Sequence, residues 1–134
     1  MTSFVHPYVL VVDDDEALAR MLRVLLESEQ CNVRVAHDGR EALSALGEFV
    51  PDVVLLDLQM PIMDGRAFYR EFRSLGFNTP VMLLSAFNAD KARVELGADD
   101  AMDKPCDPEI VLTRVQRLVQ INNARQQAGL QPLS

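Results

Sequence analysis

The sequence predicts a single α/β domain in which five parallel strands and five helices alternate as (βα)5 in an open, doubly wound sheet. Three short runs are almost wholly apolar, without polar alternation, which is typical of parallel strands covered on both faces. These runs are 8–12 (YVLVV), 53–56 (VVLL) and 81–84 (VMLL). The segments between the runs have the apolar periodicity of amphipathic helices, and strands joined by crossover helices form a parallel sheet.

The elements follow in strict alternation. A weaker run over 32–36 (NVRVA) alternates apolar and polar residues, so we expect an edge strand there. A short acidic run over 100–103 (DAMD) is the fifth candidate strand. The predicted helices cover 16–29, 40–49, 66–75, 89–96 and a last segment that starts near Pro108 and runs toward Ala128.

Capping and breaking residues set the predicted helix boundaries. Asp15 is placed to cap the first helix, and the pair Asp38 and Gly39 supplies a turn before the second. Glycines are expected to end helices three, four and five, and a proline to start the fifth, because of their backbone preferences. These residues are Gly76, Gly97, Gly129 and Pro108.

Length and charge exclude several classes of protein. The chain has 134 residues, 20 acidic against 13 basic side chains, and no Trp. A net charge of −7 argues against a nucleic-acid-binding face and against docking on an anionic membrane. No apolar run has the length of a membrane span, and the start, from Met1 to Tyr8, lacks the features of a signal peptide. We therefore expect a cytoplasmic protein in which Cys31 and Cys106 stay reduced.

The composition changes near the end of the chain. We predict a domain over 1–122 and a helix extension or linker stub over 123–134, where the sequence turns polar. Leu118, Ile121 and Arg125 on an extended last helix suggest a linker or a dimer helix, and the alternative is a solvated helix end.

Polar side chains follow four of the predicted strands. Asp13 and Asp14 follow the first strand, and Asp57 the third; Ser85 follows the fourth and Lys104 the fifth. In an open parallel sheet, ligands bind beyond the carboxyl ends of the strands. We therefore expect three acids, a hydroxyl and an amine to meet at one edge.

This combination points to phosphoryl transfer. Neighbouring carboxylates repel each other, so that without a cation at least one pKa should be raised. Mg²⁺ takes oxygen ligands and is commonly held by one or two carboxylates. A metal ion and a Lys can neutralise charge on a moving phosphoryl group while a carboxylate attacks it.

Five stretches resemble response-regulator receiver domains of two-component signalling, the family of the chemotaxis receiver. They are VLVVDDDE (9–16), PDVVLLDLQMPIMDG (51–65), TPVMLLSA (79–86), ELGADD (95–100) and DKP (103–105). The resemblance covers about 8–122 and implies a flavodoxin-like fold with strand order 2-1-3-4-5.

The resemblance also implies a role for each site residue. Asp57 is expected to be the phosphoacceptor, and Mg²⁺ to be held by Asp14, Asp57 and the backbone carbonyl of Gln59, with Asp13 acting through water. Lys104 is expected to contact the phosphoryl oxygens, and Ser85 to be the switch hydroxyl. Ala86 is small enough to leave room for the phosphoryl group, and Pro105 is expected to follow a cis peptide bond.

The implied function is a signalling phosphoacceptor rather than an enzyme. The phosphoryl group would come from a sensor histidine kinase, a phosphotransfer protein or a small phosphodonor, and the output domain or partner is unknown. The extended last helix also leaves room for a homodimer. Gln59 and Phe87 flank the acceptor and are expected to tune loss of the phosphoryl group to water. The alternative for Phe87 is simple packing on the fourth helix.

Three departures from the family pattern affect the expected output face. The interval from Ser85 to Lys104 is about one helical turn short, so we expect a shortened fourth helix region. Ala101 stands where the family usually has an aromatic residue, and Cys106 where it often has Phe. We expect phosphoryl chemistry to be retained and output coupling to be altered.

Two other functions compete with this interpretation. A pseudo-receiver would use the same fold as a phosphorylation-independent interaction module, which the altered output face favours slightly. A phosphatase with an aspartyl nucleophile would need an acid two residues after Asp57, where this chain has Gln59. Turnover of an external substrate is therefore not expected.

Overall fold

A computed structural model describes residues 6–130 of the chain. Five strands and five helices alternate along it. The strands are β1 (Tyr8–Val12), β2 (Asn32–Ala36), β3 (Val53–Asp57), β4 (Val81–Ser85) and β5 (Asp100–Asp103). The helices are α1 (Glu16–Ser28), α2 (Gly39–Ala45), α3 (Gly65–Ser74), α4 (Ala89–Leu96) and α5 (Pro108–Leu130). The expectations for Met1 to Val5 and for 131–134 lie outside the described residues.

All strands pair in parallel in the order β2-β1-β3-β4-β5. This confirms the predicted (βα)5 fold and its strand order. Register places Val12 beside Leu56 and Ser85 beside Asp103. Since the strands are parallel and in step, their carboxyl ends form one edge of the sheet.

The core has two layers, one on each face of the sheet. The three central strands are buried along almost their whole length, which explains why their sequences lack polar alternation. One layer packs the sheet against α2, α3 and α4, with Phe68 and Phe72 as its largest members. The other packs α1 and α5 through residues such as Leu22 and Leu118. Helices on both faces hold the edge of the sheet in a fixed geometry.

Local caps confirm most predicted helix ends. The side chains of Asp15, Asp38 and Asp64 accept backbone N–H bonds at the starts of α1, α2 and α3. Gly76 and Gly97 follow α3 and α4 with positive φ angles of 96° and 77°, the left-handed conformation that glycine adopts most easily.

Two helices end two or more residues from the predicted position. α2 stops at Ala45 rather than at residue 49, because Leu46, Gly47 and Glu48 tighten into bonds to the third residue before them. α5 continues through Gly129 to Leu130. A glycine inside a helix costs only about 1 kcal/mol relative to Ala, so it did not end the helix as expected.

The late part of α5 packs on its own domain. Leu118 is buried and Ile121 packs against the same core layer. Arg125 donates to the Asn78 carbonyl at 2.9 Å and pairs with Asp99. Leu118, Ile121 and Arg125 therefore make contacts within the domain, and a linker or dimer role for the extended last helix stays a prediction. Within 6–130, no helix has the length and apolarity to cross a membrane.

Candidate functional site

The predicted site residues meet at the carboxyl edge of the sheet. Asp13 and Asp14 directly follow β1, and Lys104 follows β5. Asp57 and Ser85 are the last residues of β3 and β4 rather than the first residues after them. Parallel register brings these four strand ends together, although the residues lie up to about 90 positions apart in the chain.

Three carboxylates form the centre of the site. Asp13, Asp14 and Asp57 each offer one oxygen, and these atoms all lie within 4.8 Å of one another. Asp13 is fully buried and Asp57 is 3% exposed, whereas Asp14 is exposed. Asp14 therefore marks the side from which solvent or a ligand enters.

Lys104 supplies the only positive charge that contacts this cluster among the described residues. Its Nζ lies 2.9 Å from Asp13 Oδ2 and 3.4 Å from Asp57 Oδ1. The shorter contact is the ion pair with the buried Asp13 oxygen. One ammonium group thus faces three carboxylates and leaves a net negative site.

Burial and the neighbouring charges shift the pKa values of Asp57 and Lys104. Burial, followed by the charge of Asp13, raises the pKa of Asp57 from 3.8 to about 6, although Lys104 and the Gln59 backbone N–H oppose the shift. Burial alone would lower the pKa of Lys104, but its ion pairs with Asp13 and Asp57 outweigh this and raise it. The raised carboxyl pKa is the one that the sequence predicted for a site without a cation.

This shift makes metal-free stability depend on pH. The folded protein holds the Asp57 proton up to a pH of about 6 and the unfolded chain only to about 4. The contribution of Asp57 to folding is therefore full below about pH 4 and is lost as the pH rises through about 6. In EDTA, wild type should lose about 1–2 kcal/mol relative to Asp57→Asn between pH 5 and pH 7.5, as measured by urea unfolding.

The control for this measurement is Asp38→Asn. Asp38 caps α2 by accepting the Glu41 N–H at 2.8 Å, and Asn caps helices about as well as Asp. Its pH profile should run parallel to wild type. A profile of Asp57→Asn that is also parallel to wild type would contradict the raised pKa.

The loop after Asp57 packs closely on the acceptor strand. The Gln59 backbone N–H donates to Asp57 Oδ1 at 3.3 Å, and the Gly65 N–H donates to the Leu58 carbonyl at 3.1 Å. A β-carbon at position 65 would stand 2.2 Å from the Asp57 carbonyl oxygen and 2.8 Å from Leu58 Cα. Only glycine lets α3 begin this close to the acceptor.

Replacing Gly65 with Ala should therefore displace the loop. Because the clash is with backbone, we expect Gly65→Ala to lower the free energy of unfolding by about 1–3 kcal/mol, measured by urea denaturation. Gly129→Ala is the control, since a β-carbon there meets nothing within 4 Å and removes a helical glycine. That variant should be up to about 1 kcal/mol more stable than wild type. Equal stability of Gly65→Ala and wild type would refute the close approach.

The hydroxyl of Ser85 makes hydrogen bonds within its own loop. Ser85 Oγ donates to the Phe87 carbonyl at 3.0 Å and accepts the Phe87 N–H at 3.2 Å. Ala86 is exposed. Phe87 is 75% exposed, so the alternative that it simply packs on α4 is wrong.

The remaining predicted positions lie on β5 and just beyond it. The Lys104–Pro105 peptide bond is cis, as expected. The Ala101 carbonyl accepts from Arg114 of α5 at 2.9 Å. Cys106 is half-buried, and its Sγ lies 3.8 Å from the Asp103 carbonyl. Cys31 and Cys106 are both free thiols.

One residue beside the site escaped the sequence reasoning. Asp103, directly before Lys104, accepts the backbone N–H of Ala89 through Oδ1 at 2.8 Å. This bond ties the end of β5 to the first residue of α4. The sequence places Asp103 at the end of the fifth candidate strand and in the motif DKP, but no local pattern links two residues 14 positions apart.

The donor set fits a divalent cation. Mg²⁺ prefers oxygen ligands and keeps several waters, which suits two carboxylates near a solvent-exposed third. The observation that favours a cation is the surplus of carboxylate charge, since three carboxylate oxygens lie within 4.8 Å of one another and one ammonium group contacts the cluster. The acidic triad is typical of the Mg²⁺ site of receiver domains.

Comparison with known proteins agrees with this geometry. The family described as response regulator receiver domain matches residues 9–116. The response regulator MprA of Mycolicibacterium vanbaalenii is 39% identical over 124 residues, which cover 90% of this chain and 54% of that protein. The chain thus spans about half the length of the curated relatives it matches.

Solved structures show the same fold. The receiver domain of the Francisella response regulator 1452 superposes with a TM-score of 0.80 at 34% identity, covering 86% of this chain and 98% of that chain. A BeF3-activated DrrB receiver domain gives a TM-score of 0.77 at 30% identity, covering 87% of this chain and 99% of that one.

Proposed function

Because the chain belongs to the family of response regulator receiver domains, we propose that Asp57 is its phosphoacceptor and that Lys104 and Mg²⁺ assist the transfer. One observation carries the proposal. The ammonium group of Lys104 contacts both the buried Asp13 and Asp57 at the edge where three carboxylates converge. The domain is a signalling phosphoacceptor rather than a classical enzyme.

In the proposed step, a carboxylate oxygen of Asp57 attacks the phosphorus of the donor. An O–P bond forms to Asp57 while the bond from phosphorus to the leaving group breaks, and the leaving group keeps its electron pair. Phosphoryl transfer proceeds through a loose transition state whose charge lies on the peripheral oxygens. Lys104 is placed to neutralise that charge and to hold Asp57 ionised before attack.

We propose that Asp14, Asp57 and the Gln59 backbone carbonyl hold Mg²⁺, with Asp13 acting through water. When bound, the ion neutralises carboxylate charge and orients phosphoryl oxygens. Asp13 stays buried beside Lys104 and fixes the ammonium position. Ser85 is proposed as the hydroxyl that leaves Phe87 for the phosphoryl group, and the exposed Ala86 as the opening beside it.

The direct test is incubation with acetyl phosphate and Mg²⁺. We expect one phosphoryl group per chain, removable by hydroxylamine and mapped to Asp57 by mass spectrometry. Absence of this adduct, or its location on another residue, would contradict the proposal.

Metal binding provides a second, independent measurement. A ligand that binds only the folded state stabilises it, by on the order of 1–2 kcal/mol at ten times its Kd. Addition of Mg²⁺ at pH 7.5 should therefore raise the melting temperature of wild type and leave that of Asp14→Ala unchanged. Asp15→Asn, which keeps the α1 cap, should respond like wild type. An equal response of Asp14→Ala and wild type would contradict the ligand set.

The same measurement separates the alternative function. Ala101 favours a pseudo-receiver that acts without phosphorylation. Unlike an aromatic side chain, its methyl group cannot change rotamer when the site is phosphorylated. Such a module would show neither Mg²⁺-dependent stabilisation nor an adduct. Complete retention of the acids and Lys104 favours the phosphoacceptor.

We propose a sensor histidine kinase or a phosphotransfer protein as the phosphodonor. The output partner is not specified by the site, and a second copy of this chain stays a predicted partner. The acidic character of the chain, with net charge −7, favours protein partners over nucleic acid for this domain. Localisation in the cytoplasm and the domain boundary at 122 stay predictions.

A further inference from the structure

The start of α4 is built differently from the starts of α1, α2 and α3. Those three helices begin after an Asp whose backbone is extended, the usual cap conformation. α4 begins after Asn88, whose φ of 44° is left-handed. Its local bonds are long: Asn88 Oδ1 accepts from Lys91 N at 3.3 Å, and the Asn88 carbonyl accepts from Ala92 N at 3.4 Å. The first turn of α4 is therefore weakly held by its own residues.

Two side chains from neighbouring strands support this turn instead. Asp103, the last residue of β5, accepts the Ala89 N–H at 2.8 Å. A carboxylate at a helix N-terminus is also favoured by the helix dipole. Ser85, the last residue of β4, holds the loop before the helix through its two bonds to Phe87. Both supports belong to residues at the edge of the phosphoacceptor site.

The two supports are joined to the site and to each other. Ser85 and Asp103 are register partners in adjacent strands, and the Lys104 N–H donates to the Ser85 carbonyl at 2.8 Å. Lys104 in turn contacts Asp57. Ala101, three residues earlier, has no torsion beyond its methyl group, so a moving side chain at that position cannot carry the signal.

We propose that Asp103 is a positioning residue that joins the phosphoacceptor site to α4 and limits how far a change at the site opens the first turn of α4. This inference rests on the proposed function of Asp57 and Ser85. When the Ser85 hydroxyl turns to the phosphoryl group, its bonds to Phe87 break, and the Asp103 carboxylate is left as the main support of the first turn of α4. Phosphorylation of the site therefore changes how readily the first turn of α4 opens.

The coupling is tested on the whole chain by amide hydrogen exchange, followed by NMR at Ala89 and Ala92. Beryllofluoride with Mg²⁺ serves as the phosphoryl mimic. In wild type, we expect the mimic to speed exchange at these amides at least threefold, because the Ser85 bonds to Phe87 are lost. In Asp103→Ala, exchange without the mimic should be about 10-fold faster, since a bond to a charged acceptor is lost. The mimic then removes the remaining support, so its effect on exchange should be larger in that variant than in wild type.

Three further arms exclude a merely structural role. Asp103→Asn keeps an oxygen for the Ala89 N–H and should return the response to the mimic to its wild-type size. Asp107→Ala removes an acceptor for Glu109 N in the next loop and should leave α4 exchange unchanged. Adduct formation from acetyl phosphate should stay within about twofold of wild type in Asp103→Ala, since Asp103 does not contact the acceptor in the proposed step.

Specific results would overturn the coupling. An Asp103→Ala variant with faster α4 exchange but an unchanged response to the mimic would show a plain helix cap. Loss of the adduct in both Asp103→Ala and Asp103→Asn would place the residue in the chemistry instead. If the wild-type protein forms no adduct, the proposed function itself is wrong. This result is distinct from any result obtained with the Asp103 variants.

Discussion

Asp57→Asn should lower the rate of adduct formation from acetyl phosphate at least about 1,000-fold relative to wild type. The amide of Asn carries no negative charge and has no oxygen that can form the acyl phosphate. The variant should nevertheless fold, because it removes a carboxylate that Asp13 repels and that has lost most of its contact with water. Mass spectrometry of intact protein after a fixed incubation measures the effect.

The matched control is Asp64→Asn. Asp64 lies in the loop that follows the acceptor and caps α3 by accepting the Ala67 N–H at 2.8 Å. Asn preserves such a cap, so this variant should be modified as fast as wild type. An adduct that persists in Asp57→Asn, for example on Asp13, would show that a different carboxylate is the acceptor.

Lys104→Met should have the second largest effect, on both chemistry and stability. Without the ammonium group, the charge on the oxygens of the transferring phosphoryl group is no longer neutralised, and we expect modification to slow at least about 100-fold. In EDTA at pH 7.5, the free energy of unfolding should fall by about 2–3 kcal/mol, because Asp13 is left buried without a counter-ion. The loss of stability is limited because removal of Lys104, which lowers the pKa of Asp57, lets that carboxyl group take up a proton. Initial rates of modification and urea denaturation measure the two effects.

The chain provides a close control for this variant, because it contains only two lysines. Lys91 is exposed on α4, so Lys91→Met should change neither quantity. Lys104→Arg should keep most of the stability because it keeps the positive charge. Its rate of modification should be much lower than that of wild type, since a planar guanidinium cannot take the position of a compact ammonium group. Equal rates in Lys104→Met and wild type would remove Lys104 from the mechanism.

Much of the fold was predictable because its signals are local. An unbroken apolar run such as 81–84 is explained by burial on both sheet faces, and a cap such as Asp15 acts on the helix that directly follows it. These signals depend on neighbours within a few residues and can therefore be recognised in the sequence. Helix boundaries set by competing weak preferences were predicted less well, as the early end of α2 and the helical Gly129 show.

The site was predictable for a different reason. Parallel strands that are joined by crossover helices bring their carboxyl ends to one edge, so the order of elements already placed Asp13, Asp57 and Lys104 together. Resemblance to receiver domains then assigned their roles. Distances and burial could not follow from order alone, and they decide that Lys104 lies nearer to Asp13 than to Asp57.

Apolar periodicity and chain order were enough to predict the alternation of strands and helices, and the meeting of three acids, a hydroxyl and an amine at one edge of the sheet. The pairing of polar groups across elements could be seen only in the folded protein. The Asp103 bond to Ala89 and the Arg125 pair with Asp99 join residues 14 and 26 positions apart. Such pairs depend on strand register and helix placement to within an ångström, and hydrophobic patterning does not specify positions that finely.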